Sequence, residues 1–318
     1  MAEEQTYDVV IVGGGVAGLT AALVLGRARR TVAVIDAGTP RNAPAHAAYG
    51  FLTRDGTPPS DLVALGREDL TPYAVTVLEG SAYCAGDTPG GRVIHLEDGR
   101  SARGRQILLA TGLRDVLPDI PGAREAWGRG LLQCPYCHGW EVQDQPLGVL
   151  GSGESSVDHA LLIRQWSEDV TFYSHLLGPL GDDDEERLRS SGVRIAEGVV
   201  RALELTDSPG DGPRALQGVR LDDGTVLPCA AMFCEPGSDG GSPLVTDLGC
   251  DRRRDGCVVT DDLGRTSVDR VWAVGNIADP SAQLLPAAGD AYRVAVTLNA
   301  ILVQEDCEAL VSAREAVS

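Results

Sequence analysis

At 318 residues the chain is longer than one hydrophobic core usually organises, so two domains are expected. Its 43% hydrophobic and 23% charged residues are ordinary for a globular protein, and a net charge of -19 argues against nucleic acid, anionic membrane and other acidic partners. Met1 to Tyr7 is polar and acidic, unlike a secretory signal, and no apolar run is long enough to span a bilayer. A cytoplasmic location is therefore expected.

Asp8 to Val12 reads as a buried strand, Gly13-Gly14-Gly15-Val16-Ala17-Gly18 opens a helix through Leu19 to Ala28, and Thr31 to Ile35 is a second strand ending at Asp36. This is a complete βαβ unit with G-x-G-x-x-G at its first turn. The glycines allow a tight turn, close approach of backbone to a pyrophosphate, and close helix–strand packing, while the helix N-terminus favours the phosphate charge. Asp36 is placed to accept hydrogen bonds from an adenosine ribose. This unit alone does not distinguish FAD from NAD.

Gly38 to Pro59 lacks periodicity and reads as a long loop carrying Arg41, Asn42, His46 and Arg54. A helix is expected over Asp61 to Thr71, then short strands near Val75 to Leu78, Ala82 to Cys84, Val93 to Leu96 and Gln106 to Leu109, the last leading into Ala110-Thr111-Gly112. Asp115 to Gly122, with Pro118 and Pro121, reads as an interdomain strap.

Cys134-Pro135-Tyr136-Cys137-His138-Gly139-Trp140 follows. Two thiols at this spacing can close a small disulfide ring, and a helix starting at or just after the first cysteine favours thiolate. His138 is the side chain suited to take a thiol proton near neutral pH. A Cys-x-x-Cys is also half of a zinc site, but Cys84, Cys229, Cys234, Cys250, Cys257 and Cys307 supply no matching second pair, so a redox role is expected and no metal.

A second βαβ unit comes next: a strand at Leu147 to Leu150, the turn Gly151-Ser152-Gly153-Glu154-Ser155-Ser156, a helix from Val157 to Trp166 and a strand at Val170 to Ser174. An NADPH site has arginines after such a strand and an NADH site an acid. Here Ser174-His175-Leu176-Leu177 offers neither, and Asp182 to Glu186 adds negative charge. The fold is expected intact and its grip on a nicotinamide cofactor lost. Gly192 to Met232 reads as β segments with turns at Ser208 to Gly212 and Asp222 to Gly224. Val271 to Asn276 reads as a buried strand ending in Gly-Asn, and Ala287 to Val303 as a helix.

In this order the motifs resemble the thioredoxin reductase family of low-molecular-weight flavoproteins, over nearly the whole chain. The resemblance implies an α/β protein of two Rossmann-like, three-layer domains, the second inserted in the first. Residues 1–117 and 243–318 would form the FAD-binding domain and 118–242 an NAD(P)-like domain carrying the Cys-x-x-Cys. It implies a homodimer, with FAD held by Gly13, Gly15, Gly18, Asp36, Ala37, Arg41, Asn42, Thr111, Gly112, Gly275, Asn276, Gln283 and Leu284. The departures are His138 where the reductases have an acid, the missing arginines after Tyr173, and Asn276 in place of Asp. The Cys134 to Trp140 stretch is instead similar to the dithiol oxidase branch, which closes the disulfide of holomycin- or gliotoxin-type natural products with FAD and oxygen.

That likeness implies a small-molecule dithiol and O2 as partners, and the catalytic residues Cys134, Cys137, His138 and Asp279, the last orienting His138. An NADPH- or ferredoxin-linked disulfide reductase, and a flavin-bound redox sensor, are the alternatives.

Overall fold

The computed structural model describes residues 6–206, 215–240 and 242–316; the turn expected at Ser208 to Gly212 lies outside the described residues. In chain order, β1 (Thr6–Val12), α1 (Val16–Arg27) and β2 (Val32–Asp36) form the first βαβ unit. Then come α2 (Pro59–Leu70), β3 (Val75–Glu79), β4 (Ala82–Thr88), β5 (Gly91–Leu96), β6 (Ser101–Leu109) and β7 (Arg114–Val116). After α3 (Ala123–Ala126), β8 (Leu131–Leu132) and α4 (Pro135–His138) lies the second unit, β9 (Leu147–Leu150), α5 (Ser156–Ile163) and β10 (Val170–Tyr173). The chain continues through α6 (Asp182–Ser190), β11 (Arg194–Ala196), β12 (Val200–Leu205), β13 (Leu216–Leu221), β14 (Val226–Pro228) and β15 (Ala231–Phe233). It ends with β16 (Gly237–Asp239), α7 (Pro243–Asp247), β17 (Val271–Ala273) and α8 (Leu284–Glu315).

Two compact units result. One comprises residues 1–41, 60–114 and 238–318, the other 42–59 and 115–237. The expected cuts at 117/118 and 242/243 therefore move by a few residues, and 42–59 packs with the second unit rather than the first. The two places where the chain crosses between units form a two-stranded ribbon of β7 and β16.

In the first unit β3-β2-β1-β6 run parallel, β5 pairs antiparallel with the first half of β6, and β17 pairs parallel with its last three residues. These strands are apolar at successive positions because both sheet faces are covered. Val9, Ile11, Val32, Val34 and Leu108 cluster with Leu25 of α1 and Ala291 and Leu298 of α8. Val10, Val12, Ala33, Ile35, Ile107 and Leu109 cluster with Ile94, Leu244 and Val258.

The second unit repeats the rule in a five-stranded parallel sheet of order β11-β10-β9-β15-β8. Val149, Phe172 and Phe233 cluster with Val157, Ala160 and Ile163 of α5. Their neighbours Leu150, Tyr173 and Met232 cluster with Leu203 and Val219 of the antiparallel β12–β13–β14 layer.

Helix α8, at 32 residues, runs well past the expected end at Val303. Its last turns are tied down by charge: Asp306 accepts from Arg30 at 2.7 Å and from Arg105 at 2.7 Å, and Glu305 accepts from Arg105 at 2.9 Å. Among the described residues no helix is long and apolar enough to cross a membrane.

The buried Gln106 side chain joins three elements, accepting from Trp272 Nε1 at 2.9 Å and donating to Glu305 at 2.8 Å. Gln106→Leu leaves the Trp272 indole N–H unpaired and takes one donor from Glu305, which keeps Arg105, at a cost of about 1–3 kcal/mol. Thermal unfolding should show Tm lowered by about 2–8 °C; an unshifted Tm would show that the network contributes nothing.

Candidate functional site

In the first unit β1 delivers Gly13 with φ +111, packed where a Cβ would collide with the Ala110 carbonyl, and a Cβ on Gly18 would collide with the Gly13 carbonyl. Only glycine permits this approach of turn to strand. Gly15 is the N-cap of α1, has no side-chain cap and faces open space. The first amides of a 12-residue helix thus have room for an anion.

Asp36 lies at the end of β2. Its Oδ1 accepts from the amides of Gly14 at 3.1 Å and Gly38 at 3.3 Å, and its Oδ2 accepts from Arg67 Nη2 at 2.6 Å. The hydrogen bond to Asp36 leads the effects that raise the Arg67 pKa. Arg67 of α2 is a functional neighbour that no spacing signal in the sequence marks. A Cβ on Gly14 would sit 2.5 Å from the Asp36 carboxyl carbon, so this residue too must be glycine.

Ala37 is exposed beside Asp36, and Arg41 donates to the Pro280 carbonyl at 3.1 Å. Asn42 begins the segment that packs with the second unit. Thr111 Oγ1 is buried without a partner, beside Gly112, a donor and acceptor left for a ligand. Gly275 packs against Ala17, a Cβ there lying 3.0 Å from the Ala17 Cβ. Gln283 is the extended N-cap of α8 with no side-chain cap, and Leu284 is the first helical residue.

Two residues with expected roles also have local partners. The Asn276 amide nitrogen is 2.8 Å from the Ala282 carbonyl, 3.0 Å from that of Asp279 and 3.4 Å from that of Pro280, so it braces the turn before α8. Only its carbonyl oxygen remains to accept from a ligand. Asp279, expected to orient His138, has its Oδ1 engaged within this turn, accepting from the Ser281 amide at 2.9 Å and hydroxyl at 2.6 Å. An Asp followed by Pro favours such local turn bonding.

In the second unit Cys134 and Cys137 form a disulfide across α4, with Cα atoms 5.3 Å apart. Cys134 is the N-cap, and its carbonyl accepts from the amides of Cys137 at 3.2 Å and His138 at 3.3 Å. Gly139 must be glycine because a Cβ would lie 2.7 Å from Trp166 Nε1. His138 is half-buried, and burial lowers its pKa below the ordinary value. It therefore stays neutral, as a proton acceptor, near neutral pH. Tyr49 of the 42–59 segment stands edge-on to it, ring centroids 6.1 Å apart and planes at 90°. Tyr136 and Trp140 are exposed on the same turn.

The second glycine turn differs from the first. The buried Ser156 hydroxyl oxygen accepts from the amides of Ser152 at 3.1 Å and Gly153 at 3.0 Å. Ser155 donates to Glu235, whose carboxylate would lie 3.9 Å from a Cβ on Gly153. After β10, Leu177 comes within 3.0 Å of where a Gly151 Cβ would be, and the His175 ring accepts from the Val200 amide at 3.1 Å. Two amides of the turn that cradles a pyrophosphate in a dinucleotide fold are thus satisfied from within, and a carboxylate stands at the turn. The Ser156 and Glu235 partnerships were beyond the sequence pattern, which showed only the missing arginines.

Comparison with known proteins gives consistent relatives. The profile of the pyridine nucleotide-disulphide oxidoreductase family matches residues 7–291. The chain is similar to thioredoxin reductase tcpT of Claviceps purpurea, 35% identical, covering 87% of this chain and 88% of that protein. It is also similar to thioredoxin reductase sirT of Leptosphaeria maculans, 30% identical, covering 88% and 89%. Among solved structures, HlmI matches with a TM-score of 0.90 at 43% identity, covering 100% of this chain and 99% of that one.

Burial lowers the pKa values of His138, His159 and His175. The unfolded chain then binds more protons near pH 6, so the stability these groups contribute is present above about pH 6.5 and is lost as the pH falls through their lower folded values. Tm should fall between about pH 7.5 and 5.5, and His159→Gln should narrow that difference. An equal difference in the variant would contradict the assignment.

Proposed function

The chain belongs to the pyridine nucleotide-disulphide oxidoreductase family and is a thioredoxin reductase-like flavoprotein with FAD as cofactor; from that premise we propose that it is a dithiol oxidase, closing an intramolecular disulfide in a small-molecule dithiol of the dithiolopyrrolone class. The observation that carries this choice is the Ser156 hydroxyl, which accepts from the very turn amides a nicotinamide dinucleotide would need. With Glu235 at the same turn, electrons are better drawn from a thiol substrate than from NADPH.

FAD would be held at the first unit's turn by Gly13, Gly15 and Gly18, at Asp36, Ala37, Arg41 and Asn42, at Thr111 and Gly112, at Gly275 and the Asn276 carbonyl oxygen, and at the uncapped end of α8 by Gln283 and Leu284. The chemistry FAD supplies when bound is that of an electron-pair acceptor that oxygen reoxidises, with hydrogen peroxide as the second product.

The chain's own residues do the thiol chemistry. Neutral His138 takes the proton of one substrate thiol, and the thiolate attacks Cys134 Sγ, breaking the Cys134–Cys137 bond and leaving Cys137 as thiolate. The second substrate thiolate attacks the substrate sulfur of the mixed disulfide and displaces Cys134, so the product leaves as a cyclic disulfide and both electrons rest on the cysteine pair. Cys137 is the flavin-side sulfur in the enzymes this chain resembles. Asp279, whose Oδ1 is held within its own turn, keeps Oδ2 for the orienting role that the resemblance implies. A disulfide reductase fed by NADPH or ferredoxin is the second reading, favoured by the names of tcpT and sirT.

Under air the enzyme should consume oxygen and form peroxide in step with dithiol oxidation. Cys134→Ser should lower turnover more than about 1000-fold. His138→Gln should lower it about 100-fold at neutral pH, a deficit that shrinks toward about pH 8.5, where free thiols ionise unaided. A pH-independent deficit, or none, would remove His138 from the base role.

A further inference from the structure

Residues 42–59 leave the first unit after β2 and return to it at α2, yet between those points they belong to the second unit. The segment is built rather than loose. The Ala48 amide donates to the Thr57 carbonyl at 2.8 Å and the Gly56 amide to the Ala48 carbonyl at 3.0 Å. The Gly50 amide donates to Asp55 Oδ1 at 2.7 Å, and Ala47 and Ala48 are buried. It docks on the turn before β8: Gly128, with φ +77, has room for no Cβ, which would lie 2.8 Å from the Pro44 carbonyl carbon and 2.9 Å from the Ala45 amide. That turn runs through β8 directly into Cys134, so one short stretch of chain both receives the segment and carries the redox turn.

What the segment presents there is Tyr49, edge-on to His138. We propose that Tyr49 is a positioning residue for His138, its ring holding the imidazole at the disulfide and shielding it from water, and that residues 42–59 exist in this conformation to place it. This rests on His138 acting as the thiol's base. The phenol hydroxyl stays protonated near neutral pH, because burial first, then the charges of Glu141 and Asp55, raise its pKa above the ordinary value. The proposed effect is that of the ring against the imidazole, not of the hydroxyl.

The charged groups acting on Tyr49 are Glu141 on the turn after α4 and Asp55 on the segment, while burial alone shifts His138. When the ring is removed, water reaches the imidazole. That change favours the imidazolium, so the fraction of His138 able to accept a proton falls at mildly acidic pH.

The test is anaerobic stopped-flow reduction of the flavin in the full holoenzyme by dithiothreitol, between about pH 5.5 and 8, for wild type, Tyr49→Phe and Tyr49→Leu. Rates are taken as ratios to wild type, which cancels the ionisation of the reagent. Tyr49→Phe should stay within about twofold at every pH, as expected for a ring-only role. Tyr49→Leu should be slower by about three- to tenfold at pH 8 and by a further fewfold at pH 5.5, with wild-type flavin content. A pH-flat ratio near one for Tyr49→Leu, while His138→Gln is slow, overturns the proposal alone; an undiminished His138→Gln rate overturns the base reading beneath it. A rate loss in Tyr49→Phe equal to that in Tyr49→Leu would assign the effect to the hydroxyl and also overturn it.

Discussion

A backbone amide buried in a turn must find an acceptor, and the two glycine turns of this chain find different ones. At the first, α1 begins on an uncapped Gly15 with open space above it. At the second, the hydroxyl of Ser156 already accepts from Ser152 and Gly153. The two βαβ units share strand order, helix placement and alternating core faces, so the difference is not one of fold. It lies in which side chain serves the turn: Ser156 takes two amides, with Glu235 nearby, where Asp36 takes one amide of the first turn. In the proposed reading, a fold that ordinarily serves two dinucleotides holds one.

In the proposed reaction, reducing equivalents enter at the Cys134–Cys137 pair. That pair sits on a single turn of helix, too short to contribute much dipole, so the proposed mechanism gives deprotonation to His138. Burial lowers the imidazole pKa, and Tyr49 of residues 42–59, which pack with the second unit, stands edge-on to it. Asp279, which a sequence argument would enlist for the same purpose, has its Oδ1 bonded within its own turn by Ser281. In the proposed mechanism an aromatic surface tunes the base, and a neutral base suits abstraction of a thiol proton better than an imidazolium held by a nearby charge.

Much of this was legible in the amino-acid sequence. The glycine turns, the acid at the end of β2, the Cys-x-x-Cys and the absence of arginines after β10 are local patterns whose meaning depends on few neighbours. The limits of legibility are physical as well. The apolar stripe of α8 fades near Val303, and its further turns are held by Arg30 and Arg105, more than two hundred residues away along the chain for Arg105 against Asp306. Residues 42–59 have no periodicity, and only contact with the distant Gly128 turn shows where they belong. Asn276 reads as a weaker version of a ligand-binding Asp, while its amide in fact braces the turn before α8. In each case the deciding partner is remote in sequence or is the backbone itself.

The account stands on the direction from which electrons enter. The most direct measurement is the visible absorbance of the enzyme-bound flavin, titrated without oxygen by NADPH and, separately, by a small dithiol. Bleaching by the dithiol with no response to NADPH is the predicted result. Prompt bleaching by NADPH would contradict it, since the closed turn at Ser156 would then not prevent a nicotinamide cofactor from binding and delivering its hydride.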